Sequence, residues 1–140
     1  MKILTLFFYF TFIQNLPTEK GEIIITIENI KSTKGVVIVA LFDNEDSFLK
    51  KVYRSKTLSL DEAKNLIRFE GIPEGRYAVS VIHDENENGE LDTNWAGIPK
   101  EPFGFSRKSF GSFGPPSFED TCIQVKNEIA KATVKMKAIF

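Results

Sequence analysis

Apolar and polar residues alternate along several short stretches of the chain, and this pattern is typical of strands with one buried face. The first strand is predicted at 22–30, where Ile23, Ile25 and Ile27 share one face. A run of β-branched and aliphatic residues at 36–42 predicts a strand in the middle of a sheet, buried on both faces. The remaining predicted strands are at 65–70, 76–83, 121–125 and 129–139.

Turn signals separate these strands. The polar stretch 31–35 ends in Gly35, and we expect it to join the first two strands as a β-hairpin. The stretch 71–75 is a tight turn by its Pro and Gly content. The polar stretch 43–55 is expected to hold a helical turn around 45–50, capped by Asp43.

Short strands without a long helical pattern predict an all-β fold. We expect a single antiparallel Greek-key-type β-sandwich of about seven strands over residues 19–140. The stretch 84–119 has little periodicity and much Gly, Pro, Asn and Phe. Irregular loops longer than about 12–15 residues are usually functional or disordered, and the aromatic content here argues against disorder.

The N-terminus predicts export. Met1 and Lys2 precede an apolar run at 3–13, and Gln14, Asn15 and Pro17 end it. This order is typical of a signal peptide, which we place at 1–18, and the run is too short to span a bilayer. The alternative is a buried first strand, since no Ala-x-Ala cleavage site follows. We expect a periplasmic or secreted protein with no membrane span after signal removal.

Composition narrows the choice of partner. The chain has 140 residues and a net charge of −1, so it has room for one domain and carries no basic excess. No stripe of Lys and Arg is present, which argues against nucleic acid as a partner. Cys122 is the single cysteine, so an intramolecular disulfide is excluded.

The sharpest motif is an acidic loop that begins at Asp84. The stretch 84–92 reads D-x-N-x-N-G-x-L-D, the first nine positions of an EF-hand-type calcium loop. Oxygen donors at alternate positions can converge on one cation, and Gly89 permits the sharp turn. The predicted Ca²⁺ ligands are the side chains of Asp84, Asn86, Asn88 and Asp92 with the main-chain carbonyl of Glu90.

The motif is incomplete at its end. Position twelve is Trp95, where a bidentate Glu should stand, so Asn94, Glu101 or a remote carbonyl would have to close the site. The alternative is a metal-free Asx turn, since Asn, Asp and Gly favour turn geometry by themselves.

His83, the only histidine, adjoins this loop. With Asp84 and Asp92 it could form a metal-dependent catalytic site. One histidine is thin support for catalysis, so we expect a strand-end residue that hydrogen-bonds a neighbouring loop, and no catalytic residue.

Aromatic residues interleaved with Gly and Pro follow the acidic loop. They could form a stacking surface for a glycan or an extended peptide, or the private core of a folded loop. The second interpretation is favoured, because a long loop needs such anchors to stay ordered. The candidate ligand surface comprises Trp95, Phe103, Phe105, Phe110 and Phe113.

Three motifs, FEGIPEGRYAV at 69–79, HDENENGELD at 83–92 and GIPKEPFGFS at 97–106, give the chain a family likeness. Over about 22–139 it resembles the exported bacterial family catalogued as domain of unknown function 2141. The turn at 71–75 that leads into Tyr77 is also similar to prealbumin-like and carboxypeptidase-regulatory-like sandwiches. The resemblance implies a secreted or periplasmic β-sandwich and no activity.

Three functions therefore compete. The leading hypothesis is an exported, non-enzymatic β-sandwich module with a Ca²⁺-binding loop at 84–92. The second is an interaction protein that binds a glycan or a peptide through the aromatic loop 95–118. The third is an enzyme that uses His83.

Overall fold

Eight strands, two short α-helices and one 3-10 turn at Ser106–Lys108 make up the computed structural model, which describes residues 20–140. The signal peptide predicted at 1–18 lies outside the described residues. The strands are β1 (Gly21–Glu28), β2 (Val36–Phe42), β3 (Arg54–Ser59), β4 (Ile67–Ile72), β5 (Gly75–Asp84), β6 (Phe103–Phe105), β7 (Ile123–Val125) and β8 (Ile129–Lys135). The helices are α1 (Leu60–Ala63) and α2 (Phe118–Thr121).

The strands form two sheets, one with the order β4-β1-β8 and the other with the order β3-β2-β5-β6. The short β7 pairs with the beginning of β5. The main hydrophobic core joins inward side chains of both sheets, so the predicted all-β sandwich is confirmed. A fully buried aliphatic side chain contributes about 1.5–3 kcal/mol to stability. Core members with no exposed surface are Ile23, Ile25, Val37, Val39, Leu41, Ala63, Ile72, Val79, Val125 and Val134.

The second sheet is also covered on its outer face. Ala40 and Phe42 of β2 pack there with Ala78 of β5 and with Phe118 of α2. Phe48 closes this outer cluster, with its ring centroid 5.3 Å from that of Phe42. The strand 36–42 is therefore buried on both faces, as its run of aliphatic residues predicts.

The predicted β-hairpin of the first two strands is wrong. β1 pairs with β4 and β8, whereas β2 pairs with β3 and β5, so the stretch between β1 and β2 crosses from one sheet to the other. Hydrophobic alternation defines which face of a strand is buried and says nothing about its neighbour. The pairing of β1 with β8 is parallel, so the sandwich is not wholly antiparallel.

Other corrections concern polar segments. At the end of the polar stretch 43–55 begins β3, an edge strand that was missed because most of its residues are exposed and polar. Its helical turn is present, but Asn44 caps it rather than Asp43: the Asn44 Oδ1 accepts from Ser47 N at 2.9 Å. The strand predicted at 121–125 begins at Ile123, since Thr121 belongs to α2.

No helix among residues 20–140 has the length and apolar character needed to cross a bilayer.

The turn between β1 and β2 packs closely against the end of β5. Gly35 has φ +84°, and a Cβ built on it would lie 2.2 Å from the Asp84 carbonyl oxygen. Only glycine therefore fits, both for its backbone conformation and for the space available.

We expect Gly35→Ala to lower the free energy of unfolding by about 2 kcal/mol or more, because it adds a steric clash to backbone strain. Gly97→Ala is the matched control: its φ is +75° and nothing lies within 4 Å of its Cβ position. Gly97→Ala should lower the free energy of unfolding only by the cost of the strained backbone, about 1 kcal/mol. Chemical denaturation of both variants measures the difference, and equal losses would contradict the close approach.

Candidate functional site

The acidic loop begins where β5 ends, and its first residue is buried. Asp84 is 1% exposed, and its carboxylate accepts two main-chain hydrogen bonds from within the loop. The Oδ1 atom lies 3.2 Å from Asn88 N, and the Oδ2 atom lies 2.7 Å from Gly89 N. Charge-assisted bonds of this kind are about twice as strong as neutral ones. Asp84 therefore folds the loop back over the end of the strand.

Asp92 gathers the other polar side chains of the loop. Its two carboxylate oxygens accept from Asn86 Nδ2 at 2.6 Å and from Asn88 Nδ2 at 3.0 Å. The Asn86 Oδ1 and the Asp84 Oδ1 share one donor, Asn88 N. Four of the predicted ligand residues thus converge in one hydrogen-bonded group.

Glu90, the fifth predicted ligand residue, is exposed and enters this group through its main chain. Its N–H donates to Asn88 Oδ1 at 3.0 Å.

Glu101 ties the two ends of the acidic loop together. Its Oε1 accepts from Glu85 N at 2.8 Å and its Oε2 accepts from Asp92 N at 3.1 Å. The residue is only 5% exposed, so these two bonds satisfy a buried carboxylate. The sequence predicts Glu101 only as a residue that could close the metal site. The sequence around Glu101 does not indicate that this residue holds the two loop ends together, because the residues that it bonds lie elsewhere along the chain.

The donor set of the loop consists of oxygens. Within residues 20–140 there is no ready cluster of three or more His, Cys, Asp or Glu side chains around one point. The loop instead brings together two carboxylates and two amide side chains, which are hard donors of the kind that Ca²⁺ prefers. A carboxylate offers about four acceptor positions, so each Asp92 oxygen keeps a lone pair beyond its bond to an amide. These residues fit Ca²⁺ and are poorly suited to a soft transition metal.

His83 is turned away from the acidic loop. It is 1% exposed and faces the core, and its Nε2 lies 2.8 Å from the Lys34 carbonyl oxygen. Since a carbonyl oxygen can only accept, Nε2 carries the hydrogen and donates it. The histidine fastens the turn at 31–35 to β5, and it has no access to a substrate in this arrangement.

The phenylalanines predicted as a ligand surface form a packed chain of rings. Phe105 is 6% exposed and packs edge-on against Phe48, with centroids 6.3 Å apart, so its assignment to a ligand surface is wrong. Phe103 lies 5.9 Å from Phe105 and 6.1 Å from Phe110, and both Phe103 and Phe110 are half-buried. The reason is packing: these rings anchor the loop against the outer face of the second sheet.

Trp95 and Phe113 behave differently, since both side chains are fully exposed, at 99% and 104%. The turn that carries Trp95 is well ordered by hydrogen bonds around Asn94, whose Oδ1 accepts from Ala96 N at 2.9 Å and from Ile98 N at 3.0 Å. The Asn94 main chain closes the turn through Ile98 O at 2.9 Å. A fixed turn therefore presents an indole ring to solvent, where it adds nothing to the core.

Comparison with known proteins gives a family and no closer likeness. A family model described as "Uncharacterized protein conserved in bacteria (DUF2141)" matches residues 25–133. No curated protein and no solved structure matches the chain. The similarity to prealbumin-like sandwiches stays a prediction.

We expect Glu101→Gln to lower the free energy of unfolding by about 1.5–3 kcal/mol, because an amide can accept only one of the two main-chain bonds. Glu90→Gln makes the same chemical change at an exposed position of the same loop and should stay within about 0.5 kcal/mol. Denaturation in chelator measures both, and hydrogen exchange at the amides of Glu85 and Asp92 should accelerate only in Glu101→Gln. Similar losses in both variants would show that Glu101 does not brace the loop.

Proposed function

This chain belongs to the bacterial DUF2141 family, whose description names no activity, and from its own residues we propose that it is an exported, non-enzymatic β-sandwich module that binds Ca²⁺ through the loop 84–92. The observation that carries the proposal is the convergence of Asp84, Asn86, Asn88 and Asp92 in one hydrogen-bonded group. These are the side chains at positions one, three, five and nine of the calcium-loop pattern.

Pre-organisation favours binding. Asp84 and Glu101 hold the loop through four main-chain N–H groups, so a cation would find the chain already folded. Ordering a loop on binding costs free energy, and a loop that is ordered beforehand avoids most of that cost. With no Glu at position twelve, we expect a dissociation constant of about 0.1–1 mM, the range of extracellular calcium modules.

Export and a binding role are supported separately. The order of basic, apolar and polar residues at 1–17 is that of a signal peptide, and calcium modules that work outside the cell have affinities in the expected range. A binding role rather than catalysis is supported by His83, whose ring is buried and hydrogen-bonded to Lys34.

Millimolar Ca²⁺ should raise the melting temperature of the purified protein relative to chelator. At ten times the dissociation constant the gain is about 1.4 kcal/mol, worth several degrees for a domain of this size. Asp92→Asn removes one charge from the donor set and should abolish the shift. Glu90→Gln should keep it, because only the main-chain carbonyl of that residue is a predicted ligand. Absence of a shift in the wild type, or an undiminished shift in Asp92→Asn, would contradict the proposal. Mg²⁺ is the control ion in the same measurement.

A second function is supported by the exposure of Trp95. Single exposed apolar residues are common, but a fully exposed Trp on a hydrogen-bonded turn that also carries the 38%-exposed Ile98 is typical of a contact residue. We propose that this turn binds a glycan or an extended peptide. Phe113 offers a second exposed ring on the same long loop.

Trp95 is the only tryptophan, so its fluorescence reports on this turn alone. We expect free acrylamide to quench the emission efficiently, and a stacking ligand to shift it to shorter wavelength and protect it. Cellotriose, chitotriose and an unstructured peptide are suitable probes. Trp95→Ala should abolish binding while changing the free energy of unfolding by less than about 0.5 kcal/mol. Binding that survives in Trp95→Ala, or an indole shielded from acrylamide in the free protein, would contradict this second function.

A further inference from the structure

A groove of about 380 Å³ lies where the two sheets meet. Its walls come from the end of β1 and the following turn, from the segment after β8, and from the aromatic loop. The lining residues are Asn29, Lys31, Pro102, Phe110, Lys135, Met136, Lys137 and Ala138.

The groove exists because the chain after β8 bridges the sheets. Met136 N donates to Glu28 O of β1 at 2.9 Å, and one residue later Lys137 exchanges two main-chain bonds with Phe103 of β6, at 2.8 and 3.0 Å. Met136 is 2% exposed and forms the floor. Because side chains alternate along an extended chain, Lys135 and Lys137 both point to the solvent side.

The charge of this groove is wholly positive. Its lining includes three lysines and no acidic side chain. Of the four ion pairs among residues 20–140, none involves Lys31, Lys135 or Lys137. The neighbouring carboxylate of Glu28 is already paired with Lys108 at 3.0 Å. The three lysines therefore have no ion-pair partner among the described residues, and an anion in the groove would meet uncompensated positive charge.

The remaining lining residues are apolar or neutral. Phe110 and Pro102 form one wall, and the Lys137 ammonium lies 5.3 Å from the centre of the Phe110 ring. Asn29 Nδ2 donates to Met136 O at 2.9 Å, so the Asn29 side chain is held at the rim and adds an amide oxygen. A bare inorganic oxyanion would make no use of these groups.

We propose that this groove binds an acidic saccharide, a short chain of uronic-acid sugars. Such a ligand combines carboxylates for the lysines, hydroxyls for an amide oxygen, and apolar ring faces for Phe110 and Pro102. The volume fits a small ligand, whereas a stable protein partner would need an interface of about 1,000 Å² or more. The site shares only Phe110 with the predicted ligand surface and depends on neither Ca²⁺ nor Trp95.

The test is calorimetric titration of the purified protein with trigalacturonate, with the same trimer as its methyl ester and with sodium sulfate. We expect trigalacturonate alone to bind, and binding to weaken as added salt screens the charges. The double variant Lys135→Gln/Lys137→Gln should weaken binding by about tenfold or more, since it removes two charge-assisted contacts. Lys50→Gln/Lys51→Gln, which removes the same charge from the exposed turn before β3, should bind as the wild type does, as should Trp95→Ala.

Several results would overturn the proposal. They are the absence of trigalacturonate binding, equal binding of the acid and the ester, full competition by sulfate, or equal weakening in both double variants. Lys31→Gln, on the opposite wall, provides a second variant should Lys135→Gln/Lys137→Gln prove unstable, and it should also weaken binding. Trp95→Ala separates this site from the exposed indole: a loss of binding there would assign the saccharide to the Trp95 turn instead.

Discussion

Burial of both faces of β5 is the constraint on which the acidic loop depends. One face contributes Tyr77, Val79 and Val81 to the core between the sheets. The other face packs in the outer cluster around Phe42 and Phe118. A strand packed on both sides cannot slide against β2 without moving every side chain to the wrong face. Its end is therefore fixed in space, and Asp84 begins the loop from a fixed position. The Lys34–His83 hydrogen bond and the close approach of Gly35 hold that end from a second direction.

Local patterns in the sequence were sufficient to predict most strands of the core and which polar side chains of the loop lie together. The run 36–42 has the same bounds as β2 because every residue in it reflects local burial. The partners of β1 were not predictable in this way. Its neighbour β8 lies at the other end of the described residues, and hydrophobic alternation does not indicate which strands pair. β3 was missed because an edge strand that faces water needs few apolar residues. The convergence of Asp84 and Asp92 followed from spacing alone, whereas the bracing by Glu101 and the burial of Phe105 required the tertiary fold.

The aromatic residues after the acidic loop divide into two groups with different physical roles. Phe103, Phe105 and Phe110 pack edge-to-face, an arrangement that adds about 0.5–1.5 kcal/mol per pair to the burial of their surface. Their packing gives the long loop a fixed path over the sheet. Trp95 and Phe113 then lie at exposed positions of an anchored segment. A contact residue on a rigid support loses little conformational entropy when it meets a ligand.

The parallel pairing of β1 with β8 has a consequence for how the protein folds. Within residues 20–140, β1 is the central strand of its sheet, and one of its two neighbours is β8, the last of the eight described strands. The sheet therefore cannot close until β8 has been synthesised, and contacts between distant segments make folding slow. This late closure of the sheet is consistent with the proposed export of the chain in an unfolded state. The same strand order would leave any product shortened before β8 with an open sheet edge, which invites aggregation.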